Sequence, residues 1–210
     1  MGGLAMRIYL FVKRAFDVLL AGTALVILSP VFAVTAIAIK AEDHGTVIYT
    51  QKRIGKDKKE FDIYKFRSMV MNAAEIHEEM KLEYGEKDIS FKPKNDPRIT
   101  RVGRFIRRSC IDELPQLLNI IKGDMSIVGP RPLPVYEYAN EQQEYGTRYD
   151  RRYDVPQGLT CIWQISDRTV VDFEKRMQMD CRYAEEINVW KDISLIFLTV
   201  VTIIKGNGNN

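Results

Sequence analysis

From Val18 to Ile39 the chain reads VLLAGTALVILSPVFAVTAIAI with no charged residue, and from Lys40 onward charges are frequent. At about 1.5 Å per residue, a straight helix of that length just crosses a hydrocarbon core of roughly 30 Å. Ser29-Pro30 stands near its middle. Proline removes an intrahelical donor and crowds the preceding turn, so a kink is expected there, with the freed carbonyls taken up by the Ser29 hydroxyl or a neighbouring helix. Residues 1–17 hold three basic groups against one acid, and residues 40–60 hold six against four. A spanning helix usually has one flank more basic than the other. Two positive flanks suit a re-entrant helix-break-helix whose ends share one face. Both arrangements stay open on these residues, and a cleaved leader with Ala36-Ile37-Ala38 as its cut site is a third alternative.

Beyond Lys40 the period changes. Thr46–Thr50 and Phe61–Phe66 are rich in β-branched and aromatic residues, and the polar stretch KRIGKDKKE turns between them, which predicts a small β-hairpin. Helical spacing marks Met71–Tyr84, Leu114–Lys122 (stopped by Gly123) and Phe173–Glu186. A charged, Tyr-rich helix is expected across 135–153. Val102–Arg108 follows a loop, FKPKNDPR, and Trp163–Ile165 is expected to be extended. Ile193–Ile204 is apolar all round but too short to span, so it is a core helix or one lying against a bilayer. Together these predict an α+β, mainly helical fold, with a membrane-inserted segment over 1–40 and one structural unit over 41–210.

Composition narrows the chemistry. With 31 basic and 28 acidic residues the net charge is only +3, too mild for a nucleic-acid binder, although local basic clusters can face anionic lipid. The three cysteines are scattered without a CxxC, so neither a disulfide framework nor a zinc site is suggested, and a reducing compartment fits best. Two histidines leave little room for a Ser-His-Asp triad or a His-rich metal centre. An enzyme built on this chain must work with carboxylates, Lys and Arg.

Residues 107–132, RRSCIDELPQLLNIIKGDMSIVGPRP, gather such groups. Asp112 and Glu113 stand just ahead of Pro115 and an apolar helical run. One reading makes Asp112 a helix cap and Glu113 a partner of the helix dipole. The other uses the same helix start as an anion site, with one carboxylate attacking phosphorus and the other holding Mg²⁺. Arg131, on a stiff turn between two prolines, suits bidentate phosphate binding or a structural ion pair. Lys65, Arg67, Arg107 and Arg108 add cations that are equally at home on a solvated surface. Dinucleotide-binding, P-loop and D-x-D patterns are absent.

The chain resembles the bacterial sugar transferases known as monotopic phosphoglycosyl transferases, or polyprenyl-phosphate sugar-1-phosphate transferases. The resemblance covers nearly the whole length and rests on KRAFDVLLAGTALVILSPVFAV, IYTQKRIGKDKKEFDIYKFRSM, the 107–132 segment and GLTCIWQISDR, in that order. It implies transfer of a sugar-1-phosphate from a nucleoside diphosphate sugar, usually UDP-linked, to undecaprenyl phosphate, with release of UMP. Asp112 matches the nucleophile that forms a covalent phosphosugar, and Glu113 the acid associated with Mg²⁺. Lys65, Arg107 and Arg131 match basic positions around the substrate, and Asp180 matches a recurrent acid placed with them. Ser29-Pro30 matches the helix break, favouring the re-entrant arrangement. The resemblance also implies the compact form of the family, without an additional N-terminal membrane bundle. It places the protein at the cytoplasmic face of a bacterial inner membrane, at the first membrane step of a surface-glycan pathway; self-association is left open.

One region departs from the pattern. Where relatives read V-[RK]-P-G-[IL]-T-G, this chain has Val155-Pro156-Gln157-Gly158-Leu159-Thr160-Cys161, and Asp167 precedes Arg168 where glycine is usual. A catalytically inactive, membrane-anchored scaffold of a glycan-assembly complex is the rival reading, and this loop is its support.

Overall fold

The computed structural model describes residues 3–84, 96–165 and 172–204. It opens with one helix, α1 (Gly3–Asp43), of 41 residues. The helix carries Ser29-Pro30, the position of the expected kink, within its length. Proline has no N–H to offer the carbonyl four residues back, Val26, and the Ser29 hydroxyl donates to that carbonyl at 2.8 Å. Only 11 % of the most apolar stretch of α1 is buried, so this is not the core helix of a soluble domain. It is long and apolar enough to cross a membrane.

The hairpin forms from β1 (Ile48–Ile54) and β2 (Glu60–Phe66), antiparallel, with Tyr49 opposite Lys65 and Arg53 opposite Phe61. It extends further toward the turn than the apolar pattern predicts. Lys52 and Asp62, opposite one another with their charges outward, let the ladder continue through charged residues. Because strand side chains alternate, Lys65 shares a face with Phe61 and Ile63, the face that packs on the core.

Helices α2 (Ala73–Tyr84) and α3 (Arg101–Arg108) follow, the second capped by the Thr100 hydroxyl, which accepts from the Gly103 N–H at 2.8 Å. Helix α4 (Gln116–Lys122) ends at Gly123, whose φ of 97° is the left-handed stop expected from sequence. Strand β3 (Ser126–Val128) pairs in parallel with β4 (Gly158–Thr160) across an insertion carrying α5 (Val135–Tyr145) and a 3₁₀ turn at Asp150–Tyr153. Residues Ile162–Ile165 are a short helix, α6, and not the extended segment predicted. The chain closes with α7 (Phe173–Glu185) and α8 (Val189–Ile204). Part of the FKPKNDPR loop, together with Asp167 and Arg168, lies outside the described residues.

Both halves of α1 are bonded into the rest of the fold. In the first half, Tyr9 and Lys13 donate to Asp192 of α8 at 2.7 and 2.6 Å, and Asp17 accepts from the Ile127 N–H of β3 at 3.0 Å. Arg14 donates to the carbonyls of Ile120 and Ile121, in the last turn of α4. Ala21 packs with Phe61, Ile63, Leu117, Ile120 and Met125 in a core shared by α1, the hairpin and α4. In the second half, Ile39 packs with Phe66 and Ile106, and Asp43 pairs with Arg67. Asn119, fully buried, locks α4 to the free edge of β2: it accepts from the Tyr64 N–H at 2.9 Å and donates to the Asp62 carbonyl at 2.7 Å. That bond sets where the residues just before α4 can lie.

Candidate active site

Cys110 adopts a left-handed conformation, φ 56°, and the chain then makes a 3₁₀ turn, Ile111–Glu113, before α4. The acid pair therefore sits on this turn rather than at the start of α4, where Pro115 is the flanking residue and no side chain caps the end. This corrects the cap reading of Asp112. The strained Cys110 and the early proline turn both acids out of the helical register and toward the hairpin.

Glu113 Oε1 accepts from two cations, Arg131 Nη2 at 2.6 Å and Lys65 Nζ at 3.1 Å. Burial alone would raise its carboxyl, but Arg131 and Lys65 hold it well below the usual carboxylate range. Burial also lowers Lys65, against the pull of Glu113. Asp112 is buried, and its Oδ1 has no hydrogen-bond partner among the described residues. Burial and the neighbouring Glu113 raise its carboxyl, while Lys65, Arg107 and Arg131 oppose them. One acid is thus charged and clamped, and the other is buried, more basic and free at one oxygen.

Of the predicted residues, Lys65, Arg107, Arg131, Asp112 and Glu113 form one charged cluster. Asp180 joins that cluster through an intermediary. It lies on α7, 1 % exposed, paired with the equally buried Arg152 at 2.7 Å. The same Arg152 nitrogen donates to the Arg131 carbonyl at 2.6 Å, and Nη1 donates to Tyr153, which donates to Glu141 at 2.6 Å. Through Arg152, Asp180 supports the backbone of Arg131 from behind, and its second oxygen, Oδ1, has no hydrogen-bond partner among the described residues. The turn is held from the other side by the Gly158 N–H, which donates to the Pro130 carbonyl at 2.8 Å. Gly129 and Gly158 cross so closely that a Cβ on either would meet backbone atoms at 2.2 and 2.1 Å, so both positions require glycine.

Two contributors lacked a sequence signal of their own. Arg53, in a motif already noted but without an assigned role, shares the Lys65 face of the hairpin. It donates to the Pro132 carbonyl at 3.1 Å, and burial with the nearby Arg131 charge pushes it down to about 10. Arg152 belonged to an expected solvated helix, yet its side chain is fully buried. Gln157, in the atypical loop, is also fully buried and donates to the Arg152 carbonyl at 2.8 Å. That loop is an integral part of the support beneath Arg131.

The cluster can bind a diphosphate through Lys65, Arg53, Arg107 and Arg131 and offer a carboxylate to it. No group of three or more metal-ligating acids, histidines or cysteines occurs among the described residues. Two adjacent carboxylates without a protein cage fit Mg²⁺, which keeps waters and shares its ligands with substrate phosphates. An orphaned oxygen on Asp112 is consistent with that donor set.

The bacterial sugar transferase family model matches residues 8–206, and the chain belongs to that family of enzymes. It is 40 % identical over 209 residues to undecaprenyl-phosphate galactose phosphotransferase of Salmonella typhimurium, covering 98 % of this chain and 43 % of that protein. It is likewise 40 % identical over 194 residues to UDP-glucose:undecaprenyl-phosphate glucose-1-phosphate transferase of Escherichia coli, covering 90 % and 39 %. Exopolysaccharide production protein ExoY of Rhizobium meliloti is 37 % identical, covering 94 % and 87 %. The chain spans less than half the length of the first two.

Proposed function

We propose that the protein transfers a sugar-1-phosphate from a UDP-sugar to undecaprenyl phosphate through a covalent intermediate on Asp112. The observation that carries this reading is the asymmetry of the acid pair: Glu113 is clamped by Lys65 and Arg131, while Asp112 is buried, raised and open at Oδ1. A carboxylate of raised basicity is the better nucleophile of the two. Its oxygen forms a bond to the sugar-bearing phosphorus, and the bond to the other phosphate breaks, releasing UMP. An oxygen of undecaprenyl phosphate then attacks the same phosphorus, giving the polyprenyl-diphosphate sugar and freeing Asp112. Lys65, Arg107, Arg131 and Arg53 bind and orient the diphosphate. Glu113, with Asp112 beside it, would hold Mg²⁺, and the ion when bound would supply positive charge to offset that of the phosphates. The names of the Salmonella and Escherichia coli relatives support the acceptor, and that of the Rhizobium relative supports a place in surface-glycan assembly.

The acceptor is a lipid, and α1 supplies the means to reach it. Residues 1–40 insert in the inner membrane, and 41–210 carry the chemistry at its cytoplasmic face. A re-entrant placement is supported by the attachments of α1. Lys13 and Arg14 at one end and Glu42 and Asp43 at the other bond to the same catalytic body, while Val26 and Ile27 between them are 75 % and 69 % exposed. A spanning helix would place its ends on opposite sides of the bilayer.

The test is UMP release across a panel of UDP-sugars with undecaprenyl phosphate in nanodiscs, with mass spectrometry for the phosphosugar adduct. Turnover without an adduct on Asp112 sinks the covalent route. No UMP from any donor favours the inactive scaffold.

A further inference from the structure

Helix α3 presents a basic face that the transfer reaction does not use. Arg101, Arg104, Phe105 and Arg108 stand at i, i+3, i+4 and i+7, hence on one side of the helix, and all four are exposed, Phe105 by 67 %. The opposite side buries Gly103 and Ile106. Arg107, half-buried, exerts its charge on Asp112. Among the described residues, Arg101, Arg104 and Arg108 make no ion pair, whereas Lys13, Lys65, Arg131 and Arg152, turned into the fold, are each matched to an acid.

The depth of this face is fixed by its neighbours. Ile106 packs against Ile39, and the Glu42 carboxylate accepts from the N–H groups of Arg101 and Val102 at 2.7 and 3.1 Å. Helix α3 thus lies beside the last turns of α1. There the exposed apolar residues Val34 and Ile37, 66 % and 69 % exposed, give way to Lys40, Glu42 and Asp43. With α1 in a bilayer, that transition marks headgroup depth. An aromatic ring among three arginines at that level matches an anionic headgroup layer: the cations meet phosphates and the ring enters the apolar boundary. A solvated surface would require the charges but not an exposed phenylalanine between them.

We propose that the Arg101–Arg104–Phe105–Arg108 face binds anionic phospholipid headgroups of the membrane in which α1 is embedded. The inference rests on the membrane placement of α1 and is independent of the transfer chemistry. It makes α3 a two-sided element, with lipid phosphates on its outer face and the reaction centre, through Arg107, on its inner face. Anionic lipid would be concentrated one helix-width from Asp112.

The test uses the full chain in nanodiscs of phosphatidylcholine mixed with phosphatidylglycerol. Phe105→Trp is compared with the parent protein, and either lipid is supplied in acyl-brominated form at equal mole fraction. The fluorescence that the substitution adds should be quenched at least about threefold more efficiently by brominated phosphatidylglycerol. The preference should vanish at high salt and in the Arg101→Gln, Arg104→Gln, Arg108→Gln triple variant. Far-ultraviolet dichroism and thermal melting check that the triple variant folds. Equal quenching by the two lipids, or none beyond the parent protein's, overturns the inference. A chain that stays in water and never enters nanodiscs overturns the membrane placement as well, a result distinguishable from the first.

Discussion

Glu113 and Asp180 are both buried carboxylates bonded to an arginine, yet their titration is driven in opposite directions. Glu113 shares two cations, Arg131 and Lys65, and is held well below the usual range. Asp180 has Arg152 alone in full burial, and desolvation wins: its carboxyl is pushed up to about 6. Two bonded cations outweigh desolvation at Glu113, and one does not at Asp180. A site that must stay anionic has two of them close by, whereas a support can manage with one. Asp112 falls between these cases, surrounded by cations but bonded to none at Oδ1, and that intermediate standing suits a nucleophile.

The contrast can be tested at its extremes. On the proposed route Asp112→Asn removes the attacking oxygen and should lower turnover by at least about a thousandfold with no adduct, measured by UMP release and intact-protein mass. Wild-type rates in that variant would end the assignment. Asp180→Leu leaves Arg152 buried and unpaired, which should cost about 3–5 kcal/mol in denaturant unfolding. Arg152→Met combined with Asp180→Leu should restore most of that stability. Its kcat/KM should nevertheless stay depressed, because the Arg131 carbonyl has lost its donor; full recovery of both would reduce the pair to packing alone.

Glu113→Gln should slow turnover roughly a hundredfold. It also removes a like charge that raises Asp112 and frees two cations that lower it. On the proposed route Asp112 attacks as a carboxylate, so its raised carboxyl should place the acid limb of the rate profile above an ordinary aspartate's. Activity rises with pH through that limb, and Glu113→Gln should move the limb to lower pH. An unmoved or rising limb would mean that another group controls it. The smallest effect is expected for Ser29→Ala, which leaves the Val26 carbonyl unmatched in lipid and should lower stability by about 0.6–2 kcal/mol in a bilayer-based unfolding assay.

What could be read from the chain in advance was what local spacing controls. The hairpin around Gly55, the stop at Gly123, the helix over Phe173–Glu185 and the bond between Ser29 and the proline-freed carbonyl all depend on neighbours within a few residues. The charged cluster was legible because Asp112, Glu113, Arg107 and Arg131 lie in one short segment. What escaped depends on distant pairing. Strands of three residues, β3 and β4, carry no usable period, and their partners are some thirty residues apart in sequence. Arg152 looks like one of several surface arginines until α7 brings Asp180 against it. The cap reading of Asp112 failed because nothing in the local pattern announced a left-handed Cys110.

Tyr9, Lys13, Arg14 and Asp17 of α1 carry a practical consequence for anyone wishing to make this enzyme water-soluble. Deleting the apolar helix would strip Asp192 of two of its three hydroxyl and ammonium donors, orphan the Ile127 N–H and uncover the carbonyl end of α4. The anchor is also a structural wall of the catalytic body. A soluble form would have to keep the inner face of α1 and repaint only its outer one.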